Sequence, residues 1–416
     1  MTVPTEPFSD LTLPNGLRVL VEPMPWLPTL SLTLQLRVGS VNDPDDAVGS
    51  AALLAEWMQR GAGDLDARAY AAALDDLGVR RGGGVGRETL TFSAAFLERD
   101  AAHVFPLLAD LVERPRFSDD DFAGVRLLAL HDLASIDDAP SQRLGEALVA
   151  RYFASRHGRS TYGVREHLEA LTPERVRDDA GRRLGPAGAV LAIAGGGDVR
   201  RVIELATAAF GGWQGRVAPI SAPEVRAPHR HHVMAEGAQV QIGMCDAAVA
   251  PGADGWYEQQ IAMSVLDGNM GARLFNEVRE KRGLAYSVGA GTRLVRGHAY
   301  TVVRAGTTPE RASETLEVLL EQMRLLGDGV DEHEYARAMR QLRSSLVMQS
   351  EGSGARAGRL ASDVLHLGRP RTLDEILGAI LAVDLERVNA FLAGRPEPTF
   401  TVVTLGPRDV AAERAA

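Results

Sequence analysis

The chain reads twice. Residues 189–199, Ala-Val-Leu-Ala-Ile-Ala-Gly-Gly-Gly-Asp-Val, spell a buried strand, a glycine turn and a helix start, and residues 400–410, Phe-Thr-Val-Val-Thr-Leu-Gly-Pro-Arg-Asp-Val, spell them again. Gly195 falls on Gly406, and Asp198-Val199 on Asp409-Val410. Upstream, Thr172-Pro-Glu-Arg-Val matches Asp384-Leu-Glu-Arg-Val. Each opens on a helix N-cap residue, and Pro173 suits the first helical position. Farther upstream, Arg143-Leu144 matches Arg359-Leu360, each on a long helix. An offset of about half the chain restricts the fold to two copies of one plan, and 416 residues exceed what one core can organise.

Each half also opens on strands followed by a helix. Leu11 to Leu13, the turn Pro14-Asn15-Gly16 and Leu17 to Val21 read as a hairpin. Thr29 to Val38 alternates polar and apolar residues, the pattern of a half-buried strand. His232 to Ala248 plays this part in the second half, and helices are expected at about 49–60 and 255–267. The expectation is an α+β protein of two homologous domains, residues 1–214 and 229–416, joined by the proline-containing linker 215–228. Each domain would carry a mainly antiparallel sheet with helices packed on one face.

Composition removes several classes. A formal charge of −10 argues against nucleic acid as the main partner, because phosphate binding needs a basic surface. Cys245 is the single cysteine, so no internal disulfide or cysteine-rich metal site can form. The opening Met-Thr-Val-Pro-Thr-Glu-Pro-Phe-Ser-Asp lacks the basic and apolar regions of a signal peptide. No apolar run is long enough for a bilayer. A cytoplasmic location with no membrane partner is the expectation.

Residues 273–288, Arg-Leu-Phe-Asn-Glu-Val-Arg-Glu-Lys-Arg-Gly-Leu-Ala-Tyr-Ser-Val, carry the most chemistry. A short amphipathic helix with Leu274, Phe275 and Val278 inward runs to Arg282. Gly283 ends it in a left-handed cap, and a strand starts at Leu284. Arg279 in the last turn and Tyr286 at the strand start can then reach one cleft. Glu277 and Lys281 pair at i,i+4. Arg279 has no opposite charge at three or four residues, and Glu280 beside it is expected to point elsewhere. This run resembles a signature of the pitrilysin/insulinase family of zinc peptidases, in the mitochondrial-processing-peptidase-like branch. The resemblance spans nearly the whole chain. It implies that Arg279 and Tyr286 act on substrate at a zinc site carried by another domain or subunit. A tyrosine hydroxyl can donate to the oxyanion of a tetrahedral intermediate, and a guanidinium can hold a substrate carbonyl.

That family binds zinc through His-x-x-Glu-His on the first long helix, with a Glu from a later helix. The matching segment here, Gly49 to Gly61, contains no histidine. The resemblance places the first His on Ala52, the Glu on Ala55 and the second His on Glu56, and the later Glu falls near His131-Asp132. The chain is therefore expected to bind no metal or other cofactor. It resembles the family's non-catalytic subunit, with zinc in a homologous His-x-x-Glu-His partner. In isolation it could self-pair as a homodimer. The substrate would be an extended peptide pairing with a sheet edge.

Two other readings stay open: a stand-alone peptide-binding or structural scaffold of the same fold, and a replaced metal site at Glu56, His131 and Asp132. His229, His231 and His232 read as a polar linker, and Glu332-His333-Glu334 as a helix start capped by Asp331. Gly195-Gly-Gly-Asp-Val-Arg reads as a turn capped by Asp198, which would repel phosphate. Gly82-Gly-Gly-Val-Gly-Arg lacks the Gly-Lys-Ser/Thr ending of a phosphate loop. It lies where the family carries a substrate-pairing edge strand, and its glycines are expected to weaken that strand.

Overall fold

The computed structural model describes residues 8–411. Most of the opening segment read for a leader, residues 1–7, lies outside the described residues. The first half runs through β1 (Ser9–Thr12), β2 (Arg18–Pro23), β3 (Thr29–Leu36), α1 (Ser50–Met58), β4 (Arg80–Val85) and β5 (Leu90–Leu97). It continues through α2 (Asp119–Ser135), α3 (Pro140–Tyr152), α4 (Pro173–Arg183) and β6 (Val190–Gly195). The second half contributes β7 (Arg230–Met234), β8 (Val240–Ala248), α5 (Trp256–Leu266), β9 (Ala285–Val295), β10 (His298–Thr307), α6 (Ser353–Leu367) and β11 (Thr401–Gly406). Further helices and short elements lie between these.

The sequence repeat becomes a repeat of topology. One sheet has the order β1-β2-β6-β3-β5-β4, the other β9-β10-β8-β11-β7. Neighbouring strands run antiparallel except at one join in each sheet, β2 with β6 and β7 with β11. There Pro23 pairs with Gly195 and Met234 with Gly406, so the two glycines matched by sequence hold the same register position. The caps follow the reading as well. Thr172, Asp198 and Asp384 each accept a hydrogen bond from a backbone amide three residues on, through their side-chain oxygens. Both α1 and α5 start from a left-handed glycine, Gly49 and Gly255.

Chain contacts divide the molecule into two units that are not its contiguous halves. One comprises Met1–Ser135, Arg159–Ser221 and Met348–Leu373, the other Ile136–Gly158, Ala222–Val347 and Asp374–Ala416. The boundaries read from sequence were 1–214 and 229–416; by chain contacts α3 groups with the second half's sheet and α6 with the first's. On α6, Leu360 and Ala361 pack on Leu20, Val190 and Ala192, while Ala357 meets Met24 and Ala194. On α3, Leu144 and Leu148 pack with Cys245, Val302, Val403 and Leu405. An apolar helix stripe must be covered, but its period does not say by which sheet.

The exchange alters what surrounds the sheet. The α+β class and the two-copy plan stand, with an exchanged helix added on the opposite face of each sheet. Val19, Val21, Leu191 and Ile193 join the core that holds α1, while alternate residues Leu20, Val190 and Ala192 face α6. Consequently β3 is not half-buried. Ser31 is buried under α6, where its hydroxyl lies 2.8 Å from that of Ser353, and Thr33 is buried too.

Candidate functional site

In the second unit, Leu274 and Val278 are fully buried and anchor the 273–282 segment to the core. Arg273 ties it down further. Its Nε and Nη2 donate to the two carboxylate oxygens of Glu334 at 2.7 Å, and it also donates to the carbonyls of Leu325 and Gly329. From Phe275 to Glu280 the turn is π-helical, with the Lys281 amide donating to the Asn276 carbonyl five residues back. Such single wide turns recur at functional sites. Gly283 has φ +59°, a conformation costly for any residue with a Cβ. The amides of Gly283 and Leu284 close the turn on the carbonyls of Arg279 and Val278.

The chain then enters β9, an edge strand, through a β-bulge. Ala285 pairs with Thr307 and Ser287 with Gly306, so Tyr286 is the extra residue between them. A bulge re-aims the inserted side chain, and Tyr286 is 82% exposed. The Arg279 guanidinium carbon lies 5.0 Å from the Tyr286 ring centre and 4.8 Å from that of Phe275. Its Nη1 is 3.5 Å from the Tyr286 carbonyl oxygen. The two residues singled out by sequence are therefore brought together on the surface of one unit. Two expectations need correction. Glu280 does meet Arg279, with Oε1 3.7 Å from Nε, a partly exposed pair of modest strength. Phe275 leaves the core and stacks on Arg279. Glu277 pairs with Lys281 at 2.5 Å and also with Arg282, and these hydrogen bonds and charges hold its carboxyl below the usual range.

In the first unit, α1 is anchored by a buried polar network that the sequence reading did not find. Asp43 accepts from the amides of Gly49 and Ala51 at the helix N-terminus and from Arg183 at 3.0 Å. Ser50 donates to Asp179, and Arg183 donates to Ser50 and pairs with Asp179. Asp43, Ser50, Asp179 and Arg183 are all buried. Burial pushes the Asp43 carboxyl up, opposed by Arg183 and the helix amides. The only clue in sequence was an acid ahead of the helix. Its arginine partner lies 140 residues away.

The face of α1 carrying Ala52, Ala55 and Glu56 borders a cleft of about 440 Å³, closed by Gly83, Gly84 and Val85 of β4 and by Leu128, Ala129 and Asp132 of α2. Despite its glycines β4 is complete: all six residues, Arg80 to Val85, pair with β5. A Cβ at Gly83 would sit 2.0 Å from the Thr91 carbonyl oxygen, so the close approach of the two strands requires glycine there.

Two family profiles match the chain, "Insulinase (Peptidase family M16)" over residues 18–164 and "Peptidase M16 inactive domain" over residues 170–342. A protein of Mycobacterium bovis is 30% identical over 426 residues, covering 97% of this chain and 95% of its own. The chain belongs to peptidase family M16. That relative carries the name uncharacterized zinc protease, as does one of Mycobacterium leprae, 29% identical over 412 residues that cover 95% of this chain and 91% of its own. Among solved structures, a peptidase M16 inactive domain from Pseudomonas fluorescens superimposes with TM-score 0.88 at 20% identity, covering 97% of this chain and 98% of that one. A protease from Helicobacter pylori does so with TM-score 0.86 at 16% identity, covering 97% and 100%. At these identities the two structures show a shared fold.

Zinc, the metal this family implies, does not fit the residues of this M16 chain's α1 cleft. Ala52 and Ala55 present methyl groups, which donate no electron pair. The Glu56 carboxylate is taken by Arg60 one turn on. Of the replacement ligands considered, Glu56 and Asp132 border the cleft and His131 does not. Two carboxylates without imidazole or thiolate are a poor tetrahedral zinc set. Among the described residues, no three His, Cys, Asp or Glu side chains stand together as a metal-binding group.

Proposed function

We propose that this M16 chain is a non-catalytic subunit of a heterodimeric zinc metalloendopeptidase. One observation carries the reading: Arg279 and Tyr286 stand assembled and exposed, while the helix matching the family's zinc motif offers methyl groups. A homologous partner bearing His-x-x-Glu-His would hold the zinc, which supplies the activated water. The Tyr286 hydroxyl would donate a hydrogen bond to the oxyanion that forms as the scissile carbonyl turns tetrahedral. The Arg279 guanidinium, always charged, would hold a neighbouring substrate carbonyl through its N–H groups. The substrate class is an extended peptide, and the proposal places the complex in the cytoplasm. Among the described residues no helix is long and apolar enough to cross a membrane.

Reconstitution tests this. The purified chain should hold no stoichiometric zinc by metal analysis and show no chelator-sensitive proteolysis alone. Mixed with the His-x-x-Glu-His homologue, it should restore cleavage. Tyr286→Phe should then lower turnover by about 2–4 kcal/mol of transition-state stabilisation, with melting temperature unchanged. Unchanged turnover would remove the proposed role of the pair. The completeness of β4 favours a second reading, a peptide-binding scaffold acting without a partner. Peptide binding by the isolated chain, with no gain of proteolysis on adding the homologue, would select it.

A further inference from the structure

Phe275 departs from what its position predicts. Leu274 and Val278 share its short amphipathic turn, are fully buried and join the core of the second unit. Phe275 is half-buried, and its ring meets the Arg279 guanidinium at 4.8 Å. A half-buried phenylalanine normally gains most by turning inward. Here it spends its ring face on a cation. The same guanidinium lies 5.0 Å from the Tyr286 ring, so two rings share one charge. Among the described residues, the polar contacts of Arg279 are long, 3.5 Å to the Tyr286 carbonyl and 3.7 Å to Glu280. The guanidinium is thus packed against two ring faces, while its polar contacts are at the long end of their range. A free arginine loses rotamer freedom when it grips a substrate, and one already packed on aromatic faces loses less.

We infer that Phe275 is a positioning residue: its ring, together with that of Tyr286, presets the Arg279 guanidinium and couples Arg279 and Tyr286 into one unit. The inference rests on the proposed role of those two residues and gives a role to Phe275, which the sequence pattern had placed in the core. It also separates two functions of Tyr286. The ring packs on Arg279, while the hydroxyl serves the oxyanion.

The test is steady-state kinetics on the reconstituted complex, with NMR of the isolated chain carrying labelled arginine. Phe275→Leu should raise KM about three- to tenfold, the range of a partly desolvated cation–π contact, with a smaller change in kcat. Phe275→Tyr should restore wild-type KM. Tyr286→Phe should lower kcat and spare KM, whereas Tyr286→Leu should affect both. In the isolated chain, the Arg279 δ-methylene protons should show ring-current shifts that shrink in Phe275→Leu. Should Phe275→Leu fail to fold, Phe275→Met fills similar volume without a ring and carries the same expectations. If removing the ring leaves KM and the Arg279 resonances unchanged while Arg279→Ala abolishes activity, the positioning role is wrong and the subunit reading survives. If the resonances move but Arg279→Ala is silent in the complex, the packing is real and the role in proteolysis falls.

Discussion

The two exchanged helices meet equivalent surfaces with opposite chemistry. In the first unit, Glu22 on β2 is 2% exposed and pairs with Arg356 and Arg359 of α6, the latter at 2.8 Å. Asp363 on the same helix holds Arg371 at 2.6 Å. In the second unit, Val233 occupies the register position of Glu22, one residue before the pair made with the turn glycine. There α3 presents Leu144, Leu148 and Tyr152 to Tyr300, Val302 and Leu405. Tyr152 stacks on Tyr300 at 5.1 Å and meets the His298 Nε2 at 3.1 Å through its hydroxyl. Leu360 and Leu144, matched in the repeat, are buried alike, but Arg359 reaches Glu22 while Arg143 lies partly exposed beside Asp137. One topology thus tolerates a buried ion network or an aromatic cluster. The shared requirement is the apolar contact. The ions add directionality at a desolvation cost, visible in the Arg356 Nη2, which is buried without a hydrogen-bond partner among the described residues.

The largest effect is expected at Arg356. Arg356→Met should destabilise the first unit by about 3–5 kcal/mol, because Glu22 keeps its burial and loses a partner. Adding Glu22→Leu should recover most of that loss. Chemical unfolding and amide exchange along α6 would report both, and additive losses would mean the network is not a coupled unit. Leu148→Ala should cost the second unit about 2–5 kcal/mol through the cavity it leaves, and no second truncation should rescue it. Rescue by a polar partner would contradict an apolar seam.

The smallest expected difference is in acid. Burial lowers the pKa of His298, so the folded state favours its neutral form. A lowered folded value means that this contribution is complete above the usual histidine pKa near 6.5 and declines as pH falls below it. His366 on α6 is also lowered by burial, partly offset by Glu88 and Asp363. His298→Phe should therefore flatten only the second unit's acid dependence, read by exchange of α3 amides. An unchanged profile would assign the sensitivity elsewhere.

Much of this was written in local sequence. The repeat, the caps at Thr172, Asp198 and Asp384, the stop at Gly283 and the missing histidines at Ala52 and Glu56 are properties of residue type and spacing. Each depends on interactions within a few residues, or on whether an atom can donate an electron pair at all. Tertiary structure decided what depends on distant partners. Helical periodicity demanded a cover for Leu144 and Leu360 but could not say which sheet supplied it. The pairing of β9 with β10 placed the bulge at Tyr286, and with it the tyrosine's exposure. Phe275 looked like core because a helix pattern counts apolar positions, whereas its ring lies against the Arg279 guanidinium, a partner the pattern does not weigh.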